Sequence, residues 1–165
     1  MSLLIIIRGP LGIGKSTVAK KVADKIQGLY ISIDDVLAEN NLDEIDEKIG
    51  CIPEINFLKT NQIIFSKLNQ AIQKKVSVVI DGNFYHKNQI EDLIKNFPTD
   101  NYVFTLTAPL EICIQRDLQR PKSYGKNAAI AVYNLVSKLN YGQVIDTSCL
   151  SVDQTVDLII SKIGS

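Results

Sequence analysis

Short apolar runs alternate along this chain with stretches whose apolar residues recur every three or four positions. Leu3 to Arg8 is a continuous aliphatic run closed by Gly9-Pro10, the pattern of a strand buried on both faces. From Lys15 to Gln27, Val18, Val22 and Ile26 lie four apart with Ala19 and Ala23 beside them, which predicts a helix. Leu29 to Ile33 predicts a second strand ending at Asp34-Asp35, and polar, acidic residues 35 to 52 predict a short helix and a mobile connection. Pro53 to Lys75 predicts a long helix through Ile64, Leu68, Ala71 and Ile72. Val76 to Ile80 predicts a third strand, after which Asp81-Gly82-Asn83 turns the chain. Gln89 to Asn96 predicts a helix ended by Pro98. Tyr102 to Thr107 predicts a fourth strand, and Pro109 to Leu118 a helix with proline at its first position. Gln119 to Asn127 reads as a loop, Ala128 to Leu139 as a helix, Gln143 to Asp146 as a short strand and Val152 to Ile163 as a closing helix. Strands alternating with helices predict a doubly wound α/β sheet, mostly parallel.

Composition narrows this to one domain over residues 1–165. The chain is 45% hydrophobic and 22% charged, long enough to bury a core without staples. Eighteen basic residues balance eighteen acidic ones, so no overall field draws the molecule to nucleic acid or anionic lipid. The first aliphatic run is five residues, Leu3 to Ile7, and no later run reaches eighteen, which excludes a membrane span and predicts a cytoplasmic protein. Cys51, Cys113 and Cys149 are odd in number and far apart, as suits a reducing compartment.

The strongest chemical signal is Gly9-Pro10-Leu11-Gly12-Ile13-Gly14-Lys15-Ser16, followed by Thr17, which fits GxxxxGK[ST] between a strand and a helix. Glycines let successive backbone N–H groups converge on phosphate oxygens, and the helix N-terminus adds partial positive charge. The motif predicts that Lys15 reaches the β and γ phosphates and that Ser16 ligates Mg²⁺. No NKxD guanine motif, DxxG switch or LSGGQ signature accompanies the loop.

Ligands of an open α/β sheet sit beyond the carboxyl ends of its strands. Asp81, after Val78-Val79-Ile80, either holds the metal or opens an Asp-Gly turn. Asp34, after the second strand, either takes a proton from a substrate hydroxyl or caps a helix; Asp35 is the lesser candidate for base and a candidate for substrate binding. Arg116 and Arg120, two of the three arginines, lie four apart and so share a helix face. They are candidates to clamp transferring phosphate, Arg116 also to bind the nucleotide, or else to pair with nearby acids. The loop with Lys122 and Lys126, hinged by Pro121 and Gly125, has the makings of a lid over ATP.

GPLGIGKST at 9 to 17, YISIDD at 30 to 35, VVIDGN at 78 to 83 and PLEICIQRDLQR at 109 to 120 together resemble the small P-loop kinases of the AAA-type ATPase/kinase group. That group holds polynucleotide 5′-hydroxyl kinase domains, zeta toxins, chloramphenicol phosphotransferase and gluconate kinase. The resemblance implies a P-loop NTPase α/β/α sandwich with a five-stranded parallel sheet and a small lid. It also implies use of ATP and Mg²⁺, and transfer of the γ-phosphoryl to a hydroxyl. By the same resemblance Asp34 is the general base, Arg116 and Arg120 belong to the lid, and Asn83 orients the acceptor or water. Thr147 and Ser148 fall where related kinases place the adenine loop. One departure stands out: polynucleotide kinases carry an arginine three residues after the catalytic aspartate, where this chain has Leu37, or Ala38 counted from Asp35.

Charge pattern bears on the acceptor. From Asp34 to Glu54 eight acids face Lys48 alone, which predicts either a solvated helix face or an acidic wall that disfavours nucleic acid and tolerates a neutral or cationic hydroxyl compound. His86 reads as an exposed loop histidine within reach of the acceptor, and Phe84 and Tyr85 as either core or platform aromatics. The expected activity is phosphorylation of a small-molecule or nucleotide-like hydroxyl by a monomer or homodimer. The alternatives are a polynucleotide or nucleoside kinase, a nucleotide-gated regulatory or toxin-like binder, and a plain ATPase.

Overall fold

The computed structural model describes residues 2–163. In chain order the elements are β1 (Leu3–Arg8), α1 (Lys15–Lys25), β2 (Leu29–Ser32), α2 (Ile33–Glu39), α3 (Glu54–Gln73), β3 (Val78–Gly82), α4 (Lys87–Asn96), β4 (Asp100–Thr107), α5 (Leu110–Leu118), α6 (Lys126–Ser137), β5 (Gln143–Asp146) and α7 (Val152–Ile163). All strand pairings are parallel and the order across the sheet is β2-β3-β1-β4-β5. β1 and the start of β3 are short aliphatic runs because both strands lie inside the sheet with helices over both faces, leaving no water-facing side to alternate for.

The two-residue period of a strand sorts the core. Ile5, Ile7, Val79, Phe104 and Leu106 face α1, α5 and α7, packing on Val18, Val22, Cys113 and Ile159. Leu4, Ile6, Val78 and Ile80 face the other way, onto Phe57, Ile64 and Leu68 of α3 and Ile90 and Leu93 of α4. Each fully buried side chain of this size contributes roughly 1.5–3 kcal/mol. Among the described residues no helix is long and apolar enough to cross a membrane. The three cysteines are free, Cys51 and Cys113 buried and Cys149 exposed.

Several boundaries differ from the sequence expectation, each for a local reason. β2 stops at Ser32, whose hydroxyl accepts from the Asp35 N–H and caps α2, so Asp34 lies in the first turn of that helix rather than after a strand. β3 runs to Gly82, because pairing with Ile7 and Arg8 of β1 holds Asp81 and Gly82 in the ladder instead of releasing them to a turn. Pro109 occupies the N-cap position of α5, extended at ψ 144°, and the helix proper begins at Leu110. α4, β4 and α6 each begin two residues early, at Lys87, Asp100 and Lys126. The polar 40–52 connection is shaped by an antiparallel bridge between Asp46 and Cys51.

Candidate active site

The phosphate loop leaves β1 at Gly9 and enters α1 at Lys15. Gly12 has φ 77°, and a Cβ there would lie 2.0 Å from the Cys113 carbonyl oxygen, so no side chain fits between the loop and α5. Gly14, at φ 92°, is open on its outer side, and α1 has neither a side-chain cap nor an acid in its first turn. The first N–H groups of α1 are thus left pointing into an uncapped, unhindered cradle, which suits phosphate oxygens. Pro10, Leu11 and Ile13 are buried and contribute backbone; Ile13 packs into the core beneath α1.

A cavity of about 210 Å³ has Gly12, Gly14 and Lys15 to Thr17 on one wall and Arg116 and Arg120 on the other. α5 carries Arg116 in its last turn and Arg120 follows one residue past the helix cap, so the four-residue spacing does bring both to one side. Arg116 leans on Thr147, with Nη1 3.5 Å from Oγ1 and Nη2 3.4 Å from the carbonyl oxygen. Arg120 stands 3.6 Å from Asp117 and over the Tyr124 ring, 5.8 Å from its centroid.

Asp81 follows Val79 on the α1 face of β3, and this parity turns its carboxylate toward Ser16 and Tyr30. Ser16 Oγ donates to Asp81 Oδ2 at 2.7 Å, and the Tyr30 hydroxyl donates to Oδ1 at 2.6 Å. Burial first, then the bond to Asp81 and its charge, push the Tyr30 phenol upward, so it remains a donor. No cluster of three or more His, Cys, Asp or Glu among the described residues could hold a metal alone. One hydroxyl and one carboxylate fit Mg²⁺, which takes few protein ligands and completes its shell with phosphate and water.

Lys15, 5% exposed, reaches from the cradle to within 4.0 Å of Asp34 Oδ2. The Asp34 side chain is 32% open and lines a second pocket, about 320 Å³, between α2, the 43–52 segment and α6. Burial raises the Asp34 carboxyl above its ordinary 3.8; Lys15 pulls it down, Asp81 and Asp35 push it up, and Arg120 pulls it down. Asn83 and Leu11 line the same pocket. Asp35 does not: it lines a separate groove along the free edge of β2. Of the eight acids between 34 and 54, only Asp34 and Asp43 line the pocket, so of the two alternatives the acidic wall reduces to these two, while Asp35, Glu39, Glu44, Asp46 and Glu47 are exposed as a solvated face would have them.

A family model described as an AAA domain matches residues 4–135. The chain belongs to the AAA domain family. Solved structures share its fold at low identity. A sugar kinase from Janibacter sp. HTCC2649 aligns at 14% identity and TM-score 0.81, over 99% of this chain and 95% of that one. A gluconokinase from Sinorhizobium meliloti 1021 aligns at 14% and 0.74, over 97% and 90%. A shikimate kinase from Acinetobacter baumannii, in complex with shikimate, aligns at 19% and 0.63, over 99% and 93%. No curated protein matches the chain. The sheet, phosphate loop and flanking helices are therefore those of a small P-loop kinase fold.

Tyr30, Asp117 and Arg8 of this AAA domain shape the site without standing out in the sequence, and His86 stands otherwise than expected. Tyr30 sits in a strand as an ordinary aromatic; only its parity with Asp81 reveals it. Asp117, fully buried in α5, accepts at Oδ2 from Ser123 Oγ (2.7 Å), Tyr124 N (3.1 Å) and Gly125 N (3.2 Å), and so ties down the loop that carries Arg120. An acid placed before a Ser-Tyr-Gly turn is the signal that could have found it. His86 is half-buried rather than exposed: its Nε2 meets the Ile52 carbonyl at 3.0 Å while the Tyr85 hydroxyl accepts from Ile52 N, anchoring the 43–52 segment. Arg8, wholly buried, donates to the carbonyls of Phe84, Val136 and Leu139 and to Thr105 Oγ1. Phe84 itself is core.

Proposed function

We propose that residues 1–165 form a single kinase domain that transfers the γ-phosphoryl of ATP·Mg²⁺ to a hydroxyl of a small molecule. The observation that carries this reading is the position of Asp34. It lies 4.0 Å from the phosphate-loop lysine and opens into the second pocket, so one carboxylate faces both a transferring phosphoryl and a hydroxyl held beside it. An ATPase that merely hydrolyses needs no such pocket. The named activities of the sugar kinase, gluconokinase and shikimate kinase with this fold support a small hydroxyl acceptor.

Each residue has a defined part. Backbone N–H groups from Gly12 to Lys15 hold the β phosphate, and the Lys15 ammonium follows the γ-phosphoryl as charge moves onto the leaving oxygen. Arg116 and Arg120 close the opposite wall around the phosphoryl oxygens. Ser16 and Asp81 hold Mg²⁺, which when bound neutralises phosphate charge. Asp34 accepts the acceptor's hydroxyl proton, and its raised proton affinity makes it a stronger base than an ordinary aspartate.

ADP release from ATP·Mg²⁺ measured against pooled sugars, amino alcohols, nucleosides and 5′-hydroxyl oligonucleotides tests the reading. One pool should stimulate release, and Lys15→Ala and Asp34→Asn should each abolish the stimulation. Undiminished stimulation in Asp34→Asn would remove the assigned base, and ATP binding without stimulation by any pool would favour a nucleotide-gated binder.

A further inference from the structure

The pocket beyond Asp34 differs in character from the phosphate cavity it adjoins. Its walls are Leu37 of α2, Ile45 and Ile52 of the following segment, and Tyr124, Val132 and Leu135 at the start and along the face of α6. Two of these stand open to solvent at the rim, Ile45 at 61% exposure and Tyr124 at 59%. Large apolar side chains left this exposed around one concavity mark a surface that an apolar group covers.

Charge selects further. The titratable groups on the pocket wall are Asp34, Asp43, Cys51, Tyr85 and Tyr124, and among the described residues no lysine, arginine or histidine lines it. Lys15, the nearest cation to Asp34, belongs to the phosphate cradle. Asn83, 9% exposed, supplies a neutral amide, and its side-chain oxygen is buried without a hydrogen-bond partner among the described residues. A carboxylate or phosphate bound here would lose water and gain only two like charges, whereas an alcohol whose hydroxyl serves Asp34 and which carries a second donor for the Asn83 oxygen leaves neither acceptor unpaired.

Resting on the kinase reading above, we propose that the acceptor is a largely apolar alcohol without an anionic group, seated between the 43–52 segment and α6 with its hydroxyl at Asp34. The apolar body covers Ile45, Tyr124 and Val132, the hydroxyl proton passes to Asp34, and the oxygen takes the phosphoryl group while ADP leaves.

The test is a matched series of aryl-alkyl alcohols on one scaffold bearing a neutral, an ammonium or a carboxylate substituent. Each is measured for ATP-dependent phosphorylation and, separately, for binding by calorimetry. The neutral and ammonium members should exceed the carboxylate by tenfold or more in kcat/KM and in affinity. Ala131→Arg, at an exposed helical position on the pocket wall, should raise the carboxylate member's relative standing about tenfold, and Asp43→Asn should reduce the advantage of the ammonium member alone. Binding with this charge order but no phosphorylation would sustain the pocket assignment and remove the kinase reading. Phosphorylation of the carboxylate member equal to or above the others, or no binding by any member, would overturn the pocket assignment.

Discussion

The two cavities on either side of the Lys15–Asp34 pair are made of opposite materials. On the phosphate side, Lys15, Arg116 and Arg120 converge on a narrow space whose backbone is fixed by Gly12 pressing on α5, and polar partners hold most side chains in place. On the other side the walls are aliphatic and aromatic, two of the largest side chains are open to solvent, and the Asn83 side-chain oxygen has no hydrogen-bond partner among the described residues. Phosphate always presents the same oxygens, so its site can be built rigid and charged, and its donors are worth most when preorganised. Acceptors differ in shape, and an apolar pocket walled by α2, the 43–52 segment and α6 adapts to that at small electrostatic cost.

If this division holds, the largest loss comes from the phosphate side. Arg116→Ala should lower kcat by about 10³-fold or more, the scale of a lost arginine clamp in phosphoryl transfer, while acceptor KM stays near wild type. A matching rise in acceptor KM would show that Arg116 also shapes the apolar pocket and would break the comparison.

Asp34 lines the acceptor pocket and stands 4.0 Å from Lys15 of the phosphate cavity, and its loss should be next, about 10²–10⁴-fold in kcat for Asp34→Asn. Its pH behaviour sharpens the point. Burial raises its proton affinity, Lys15 from α1 and Arg120 beyond α5 oppose this, and Asp81 of β3 and Asp35 of α2 reinforce it. An acid with a raised pKa keeps its proton to higher pH, so the base form, and kcat/KM with it, should fall away on acidification at a pH above 3.8. Asp35→Asn removes one of the reinforcing charges and should move that limb downward. An acidic limb at or below 3.8 in the wild type would contradict the burial of this carboxylate.

What could be read in advance divides along the same line. The phosphate loop was legible because its glycines, lysine and hydroxyl are bound to one local turn, and the order of strands and helices was legible from period. Asp81 and Asp34 were named by their place near strand ends, although Asp81 proved to be inside β3 and Asp34 inside α2. The apolar pocket was not legible: its walls bring α2 and the adjoining 43–52 segment against α6, which lies far along the chain, and each wall residue taken singly looks like core. The acids between 34 and 54 were conspicuous in the sequence, yet helix and hairpin geometry turn most of them to solvent. Arg8 read as the end of a strand, and only the folded chain shows what it joins.

Arg8 couples the two sides. It ends β1, where the phosphate loop begins, and it donates to Val136 and Leu139 at the C-terminal end of α6, the helix that walls the acceptor pocket. Burial lowers its guanidinium only to about 10, so it stays charged at neutral pH and complements the helix dipole. Arg8→Met leaves three carbonyls and a hydroxyl without their donor and should cost about 3 kcal/mol or more, read as a lower urea midpoint at unchanged m. Arg8→Lys should recover part of that loss at most, since one ammonium cannot span four acceptors drawn from the segment after β3, from β4 and from the end of α6. Full recovery by lysine would mean that charge alone, and not the fork geometry, holds α6 to the sheet.

The smallest effect tests how finely the phosphate side is tuned. Tyr30 touches neither proposed substrate; it holds Asp81 Oδ1 while Ser16 holds Oδ2, and so fixes the plane of the carboxylate assigned to Mg²⁺. Tyr30→Phe keeps the ring and its packing beneath Lys20, whose Nζ lies 5.4 Å from the ring centroid, and removes only the donor. Groups that orient a metal's ligands typically matter by about 10–100-fold in affinity, and a single hydroxyl belongs at the low end. The Mg²⁺ concentration for half-maximal rate should therefore rise about tenfold, with kcat at saturating Mg²⁺ and acceptor KM close to wild type. A drop in kcat that excess Mg²⁺ does not restore would instead place the Tyr30 hydroxyl in the chemistry itself. In that event the boundary between the two cavities would have to be drawn to include the free edge of the sheet.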